Sequence, residues 1–213
     1  MNKPNLSIVI PTYNERENIS KMLGKLRKTL RNVKYEIIFV DDNSPDGTSD
    51  EVKAFMQKSP NIHLIHRIGR RGLSGAVIEG IFASNSSLVG VMDCDLQHDE
   101  TKLLEMLALF KQNNSLDLVI GSRHIDKGKA STGFSKIRDI GSRVAIKLTN
   151  SLLNINISDP MSGFFMLKRS SILSSVEKLQ HSGFKILADI LALNRGKLNI
   201  KEIVSTIILN QWS

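Results

Sequence analysis

Apolar runs of strand length alternate along this chain with stretches in which apolar positions recur every three or four residues. Leu6 to Pro11 is nearly continuous in apolar character, as expected of a strand covered on both faces. From Glu17 to Leu30, the residues Ile19, Met22, Leu23, Leu26 and Leu30 share one side of a helix. The same alternation predicts strands over Glu36–Val40, Ile62–His66, Leu88–Met92 and Leu116–Gly121. It predicts helices over about Ser49–Lys58, over a stretch punctuated by Gly72, Gly75 and Gly80 that reaches about Ser84, and over Thr101–Gln112. Strand and helix in regular alternation is the mark of an α/β domain with a largely parallel central sheet. Asp41 to Thr48 is a dense turn signal after the second strand. No composition shift or linker interrupts the pattern, and a single domain over 1–213 is expected.

The rhythm breaks between His124 and Ser158. A Gly/Lys/Ser loop from Lys127 to Lys136 precedes Ile137–Asn154, where Ile140, Val144, Ile146, Leu148, Leu152 and Leu153 are interleaved with Arg138, Arg143 and Lys147. Such a segment suits a membrane-surface helix, and equally a core-facing helix with a solvated basic face.

Composition narrows the class. The 213 residues are 41% hydrophobic and 23% charged, as in a globular protein. No stretch approaches the roughly 18 consecutive apolar residues of a membrane span, and the N-terminal residues carry no signal-peptide pattern, so a cytoplasmic location is expected. A single cysteine, Cys94, excludes an internal disulfide and any multi-cysteine metal site. The formal charge of +8 favours anionic partners. With one Trp, two Tyr and eight Phe, an aromatic platform for single-stranded nucleic acid is poorly supported, and no nucleic-acid partner is expected.

Four polar clusters close apolar strands: Thr12-Tyr13-Asn14-Glu15, Asp41-Asp42, Asp93-Cys94-Asp95-Leu96-Gln97 and Ser122-Arg123. Ligands of open α/β sheets bind outside the carboxyl ends of the strands, so four such clusters predict one site. In an extended backbone Asp93, Asp95 and Gln97 would face one centre, and their hard oxygens suit Mg2+ or Mn2+. The plain alternative for that segment alone is a solvated turn. Flanking carboxylates disfavour a thiolate at Cys94, so a packed side chain is expected there. Neither a G-x-G-x-x-G nor a Walker A sequence is present, which disfavours Rossmann cofactors and P-loop chemistry. His63 and His66 fall on opposite faces of their strand and read as packing or surface residues.

Pro11-Thr12-Tyr13-Asn14-Glu15-Arg16-Glu17-Asn18-Ile19, Val40-Asp41-Asp42-Asn43-Ser44-Pro45-Asp46-Gly47-Thr48, Asp93-Cys94-Asp95-Leu96-Gln97-His98, Gly121-Ser122-Arg123 and Asp159-Pro160-Met161-Ser162-Gly163-Phe164-Phe165 occur in this order. Together they resemble the motifs of family 2 glycosyltransferases, and most nearly the dolichyl or polyprenyl phosphate mannosyltransferases, from about Leu6 to about Ile203. The resemblance implies a GT-A fold and an inverting, metal-dependent transfer of a hexose, mannose from GDP-mannose, to a polyprenyl phosphate. UDP-glucose is the nearest alternative donor.

Carried over by position, Pro11, Tyr13, Glu15 and Asp42 would hold the base and ribose of the donor. Asp93 would contact ribose or metal, and Asp95 and Gln97 would ligate Mg2+ or Mn2+. Cys94 completes this donor-binding motif where the family commonly has alanine. Arg123, Arg138 and Ser142 would cradle the acceptor's phosphate, and transfer is expected to depend on Asp95, Arg123 and Arg138. Arg138 and Ser142 are four apart and share a face if helical. Guanidinium groups suit a phosphate because they bind it bidentately.

In this context the basic amphipathic segment, about 124–158, reads as peripheral membrane contact at the cytoplasmic face. The Asp159–Phe165 motif reads either as a tight turn feeding a strand or, as the resemblance implies, as a loop lining the acceptor side. Relatives continue past the last strand with a basic lid over the diphosphate, and many carry membrane helices after it. Here Glu202 to Ser213 contains neither. The expectation is therefore a chain without lid or membrane region, with a membrane-anchoring partner protein as a further expectation. Its rival is a weakly active nucleotide-sugar-binding remnant serving as a partner subunit.

Overall fold

The computed structural model of the chain describes residues 3–122, 157–176, 178–179 and 185–205. Seven strands form one sheet: β1 Leu6–Thr12, β2 Tyr35–Asp41, β3 Ile62–His66, β4 Leu88–Val91, β5 Leu118–Ser122, β6 Phe165–Lys168 and β7 Ile200–Val204. Their order is β3-β2-β1-β4-β6-β5-β7. All pairings are parallel except those of β6, which runs antiparallel between β4 and β5. The largely parallel sheet predicted from the sequence is present, in keeping with the GT-A expectation.

Helices cover both faces. They are α1 Arg16–Thr29, α2 Thr48–Met56, α3 Leu73–Ala83, α4 Lys102–Gln112, α5 Arg169–Val176 and α6 Ile186–Leu193. The period-two geometry of a strand explains how one apolar run serves both layers. In β1, Leu6, Ile8 and Ile10 join Ile19, Met22, Leu23 and Leu26 of α1 and Leu103 and Met106 of α4 in one core. Val9 points the other way and packs with Ala76, Val77 and Ile81 of α3 and with Ile186 and Ile190 of α6. A strand buried along its whole length therefore has to be apolar at every position, and β1 is buried throughout. Gly80 lets α3 lie close on the sheet, because a Cβ there would collide with Val9 and crowd Val40.

Three sequence expectations shift. The fourth strand stops at Val91 rather than Met92, and the fifth begins at Leu118 rather than Leu116. The backbone after Met92 is not extended as far as Gln97: Leu96 is left-handed at φ 63°, and the Gln97 N–H donates to Asp95 Oδ1 at 3.0 Å. An Asx turn has replaced the continuing strand. Burial still alternates, with Met92, Cys94, Leu96 and His98 inside and Gln97 exposed.

β1, β2, β4 and β5 all end on the same edge of the sheet, so the four polar clusters are brought to one side as predicted. From β1 the chain steps outward to β3 and returns to β4 on the other flank of β1. The strand order thus reverses between β1 and β4, the place where open α/β sheets form their ligand crevice.

Candidate functional site

A cleft of about 540 Å3 lies at that reversal, lined by Asn14, Glu15, Arg16, Glu17, Asn18, Asp46 and Asp95. The loop after β1 is held in place by side chains from the loop after β2. Ser44 Oγ accepts the Asn14 N–H at 3.0 Å, Thr48 Oγ1 accepts that of Glu15 at 3.0 Å, and Asp46 Oδ2 accepts that of Arg16 at 3.1 Å. These donors stand at the start of α1, where a helix cannot satisfy them itself. Burial opposes ionisation of Asp46, but its bonds from Thr48 and from the Arg16 N–H outweigh that and hold the carboxyl below its ordinary range. The Glu15 carboxylate accepts from Asn18 Nδ2 at 2.6 Å.

The two aspartates that end β2 and begin its loop are structural anchors. Asp41 is fully buried and accepts from Thr12 Oγ1, Ser44 Oγ, Ser44 N and Ser49 Oγ. Asp42 meets Arg67 Nη1 at 2.5 Å and the Gly72 N–H at 2.7 Å. Arg67 is itself 2% exposed and also binds Glu79 Oε1 at 3.2 Å. A buried guanidinium needs such compensation on every side. Sequence reasoning missed Arg67, because the run Arg67-Ile68-Gly69-Arg70-Arg71 reads as a solvated basic loop. Tyr13 is 45% exposed and carries the Arg71 guanidinium over its ring at 5.0 Å. Pro11 is buried within β1.

The loop after β4 differs in its electrostatics. Asp95 faces the cleft, accepts the Gln97 N–H, and has no ion-pair partner among the described residues. Glu15 is pushed above the ordinary carboxylate range by burial first and then by the charges of Asp95, Asp93 and Asp46, against the bond from Asn18. Cys94 is buried below, its thiol pushed far up by burial and by the charges of Glu15, Asp95 and Asp93. It is a packed thiol, as the sequence predicted.

Carboxylates that repel one another without a cation between them fit Mg2+ or Mn2+, whose preferred ligands are hard oxygens. Among the described residues no three acidic, His or Cys side chains converge closely enough to hold an ion alone. Asp93 and Asp95 would therefore supply a minority of the ligands and a bound diphosphate the rest, which is the usual division for Mg2+.

On the other side of Asp93 is a cavity of about 220 Å3, lined by Leu73, Asp93, His98, Met161, Ser162, Gly163, Lys185, Ile186 and Leu187. His98 Nε2 lies 3.2 Å from Asp93 Oδ2, and its ring stacks on Phe164 with centroids 5.1 Å apart. Sequence reasoning passed over His98. Its position five residues after Asp93 was the available signal, but only the turn at Leu96 brings it back. The Asp159–Phe165 motif is a tight turn feeding a strand, as predicted, with the Ser162 N–H donating to the Asp159 carbonyl at 3.2 Å. Arg123, Arg138 and Ser142, and the segment 124–156 with its basic amphipathic stretch, lie outside the described residues. No helix among the described residues is long and apolar enough to cross a membrane.

The family profile described as Glycosyl transferase family 2 matches residues 7–174. The chain is 38% identical over 188 residues to a dolichol-phosphate mannosyltransferase of Pyrococcus furiosus, covering 87% of this chain and 52% of that protein. It spans about half of that relative's length. To the dolichol-phosphate mannosyltransferase of Saccharomyces cerevisiae it is 32% identical over 190 residues, covering 87% of this chain and 69% of that protein. Among solved structures, the mannosyltransferase PcManGT of Pyrobaculum calidifontis, in complex with GDP-Man and Mn2+, superposes with a TM-score of 0.66 at 16% identity. That likeness covers 96% of this chain and 56% of the other, and at this identity it speaks to the fold.

Proposed function

Because this chain belongs to glycosyltransferase family 2, we propose that it transfers a hexose, mannose from GDP-mannose, to the phosphate of a polyprenyl lipid with inversion at the anomeric carbon. The observation that carries this reading is the pair of under-coordinated carboxylates, Asp93 and Asp95, at the reversal of strand order in a chain that aligns over 87% of its length with dolichol-phosphate mannosyltransferases. The Mn2+ and GDP-Man of the Pyrobaculum structure support the same ligand classes here.

The acceptor oxygen attacks the anomeric carbon as the nucleoside diphosphate departs, so the main demand is for charge neutralisation at the leaving group. Mg2+ or Mn2+ supplies that as a Lewis acid when bound. Asp95 would hold the ion with Asp93 beside it, and Gln97 is the further candidate ligand, presented by the turn after Asp95. A phosphate monoester is largely ionised near neutral pH, so the chain needs no strong base. Tyr13 offers the nucleoside an exposed ring, Pro11 supports the strand end from within, and Glu15 lines the cleft. Asp42 has two bonds from the protein and keeps lone pairs for the base or ribose. Arg123, Arg138 and Ser142 bind the acceptor phosphate. The segment 124–158 rests on the cytoplasmic face of a membrane, with a membrane-anchoring protein as partner, and residues 1–213 act as one domain.

The test is transfer of labelled mannose from GDP-mannose to a short polyprenyl phosphate in detergent with Mn2+, with UDP-glucose run in parallel. Mannosyl-lipid formed from GDP-mannose is the expected result. Product from UDP-glucose alone would reassign the donor, and none from either would overturn the reading.

A further inference from the structure

We propose that His98 and the Ser162-Gly163-Phe164 turn form a brace whose purpose is to fix the Asp93 carboxylate, making His98 and Gly163 positioning residues for the donor site. The inference rests on the reading of Asp93 as a donor-site residue given above.

The brace begins at the end of β5. Ser162 Oγ donates to the Gly121 carbonyl at 2.7 Å, and the Gly121 N–H donates to the Phe164 carbonyl at 2.9 Å. The Phe164 N–H donates back to Ser162 Oγ at 3.2 Å. The turn before β6 is thereby tied to the sheet, and the fully buried Phe164 ring packs over Gly121, where a Cβ would come within 2.6 Å of it. On that ring lies His98, 9% exposed, with an interplanar angle of 26°.

Stacking sets the orientation of the imidazole, and orientation sets where its nitrogen points. Nε2 meets Asp93 Oδ2, and because an ionised carboxylate is acceptor-only, Nε2 carries the proton. The same carboxylate lies over the Cα of Gly163, so that a Cβ built there would fall on Oδ2, with Oδ1 3.0 Å away. Asp93 is thus held by a directional donor on one oxygen and by a surface without a side chain beneath it. Oδ1 has no hydrogen-bond partner among the described residues, which leaves it for the donor. A polar residue confined in this way has lost its rotamer freedom before the ligand arrives, the condition for precise binding geometry. This gives the Asp159–Phe165 motif a task besides turning the chain into β6.

The experiment is calorimetric titration of the full chain with GDP in Mn2+, with Tm measured in parallel. His98→Phe preserves the stack on Phe164 and deletes the donor. Affinity is expected to fall about 10- to 100-fold, as for other residues that orient a metal-site ligand, with Tm little changed. His98→Gln, which keeps a donor, is expected to recover part of the loss. Gly163→Ala is expected to weaken GDP as His98→Phe does. Unchanged affinity in His98→Phe and Gly163→Ala, or losses that follow Tm and ignore the Gln variant, would overturn the brace. Should the wild-type chain bind neither GDP nor UDP, the functional reading falls. The brace is then decided by crystal structures of wild type and His98→Phe, in which Asp93 must keep one rotamer in the first and leave it in the second.

Discussion

Two strand-end loops each present two acidic side chains within a few residues, and the fold treats them in opposite ways. At the end of β2, Asp41 is saturated by four hydrogen bonds, and Asp42 is anchored by Arg67 and the Gly72 N–H while keeping lone pairs toward the donor. At the end of β4, Asp95 accepts one backbone N–H and Asp93 one imidazole. A saturated carboxylate contributes to structure, because removing it strands the donors around it. An under-coordinated one, repelled by its neighbours, contributes binding capacity at some expense of stability. The burden falls visibly on Glu15, whose carboxyl burial and the charges of Asp95, Asp93 and Asp46 push up.

The contrast is most exposed to refutation where the closed loop is broken. Arg67→Met leaves the buried Asp42 without its cation and Glu79 with Arg70 alone, and by the behaviour of buried ion pairs stability is expected to drop by about 3–5 kcal/mol, read by urea unfolding. For Asp95→Ala the expectation is reversed: turnover falls by at least about 100-fold, equivalent to about 2.7 kcal/mol, while unfolding free energy stays within about 0.5 kcal/mol of wild type. Asp41→Asn turns an amide toward groups that need an acceptor, and a loss of about 2 kcal/mol in the same unfolding assay is expected.

The smallest effect is a pH dependence. The folded-state pKa of Glu15 lies above its unfolded value, so the folded state binds the extra proton and stability falls as pH rises through the raised pKa. Glu15→Gln should therefore match wild type below the unfolded pKa and exceed it above the folded one, in unfolding curves taken from about pH 4 to about pH 8. A variant less stable than wild type at the upper end would contradict the repulsion assigned to this cleft.

Much of this site was legible without coordinates because its logic is local. Apolar runs that end in Asn14-Glu15, Asp41-Asp42 and Asp93-Asp95 place those groups on one edge once the strands are parallel. What could not be read is what long-range contacts decide. Nothing in the spacing shows that Arg67 is buried between Asp42 and Glu79, or that β6 inserts antiparallel between β4 and β5 to bring Phe164 under His98. Nor does period-two reasoning survive Leu96, whose left-handed backbone ends the extended run and lets His98 turn back to Asp93. The difference between a closed and an open aspartate, invisible in the identical letters of Asp41 and Asp95, is a matter of partners 2 to 29 residues away.

That difference can be tested on two conservative variants of the same residue type. GDP titrated in Mn2+ into folded Asp41→Asn and Asp95→Asn, side by side with wild type, is predicted to bind the first within a few-fold of wild type and to give no measurable heat with the second. Equal affinity for both variants, or loss confined to Asp41→Asn, would contradict the assignment of donor binding to the open carboxylates at the end of β4.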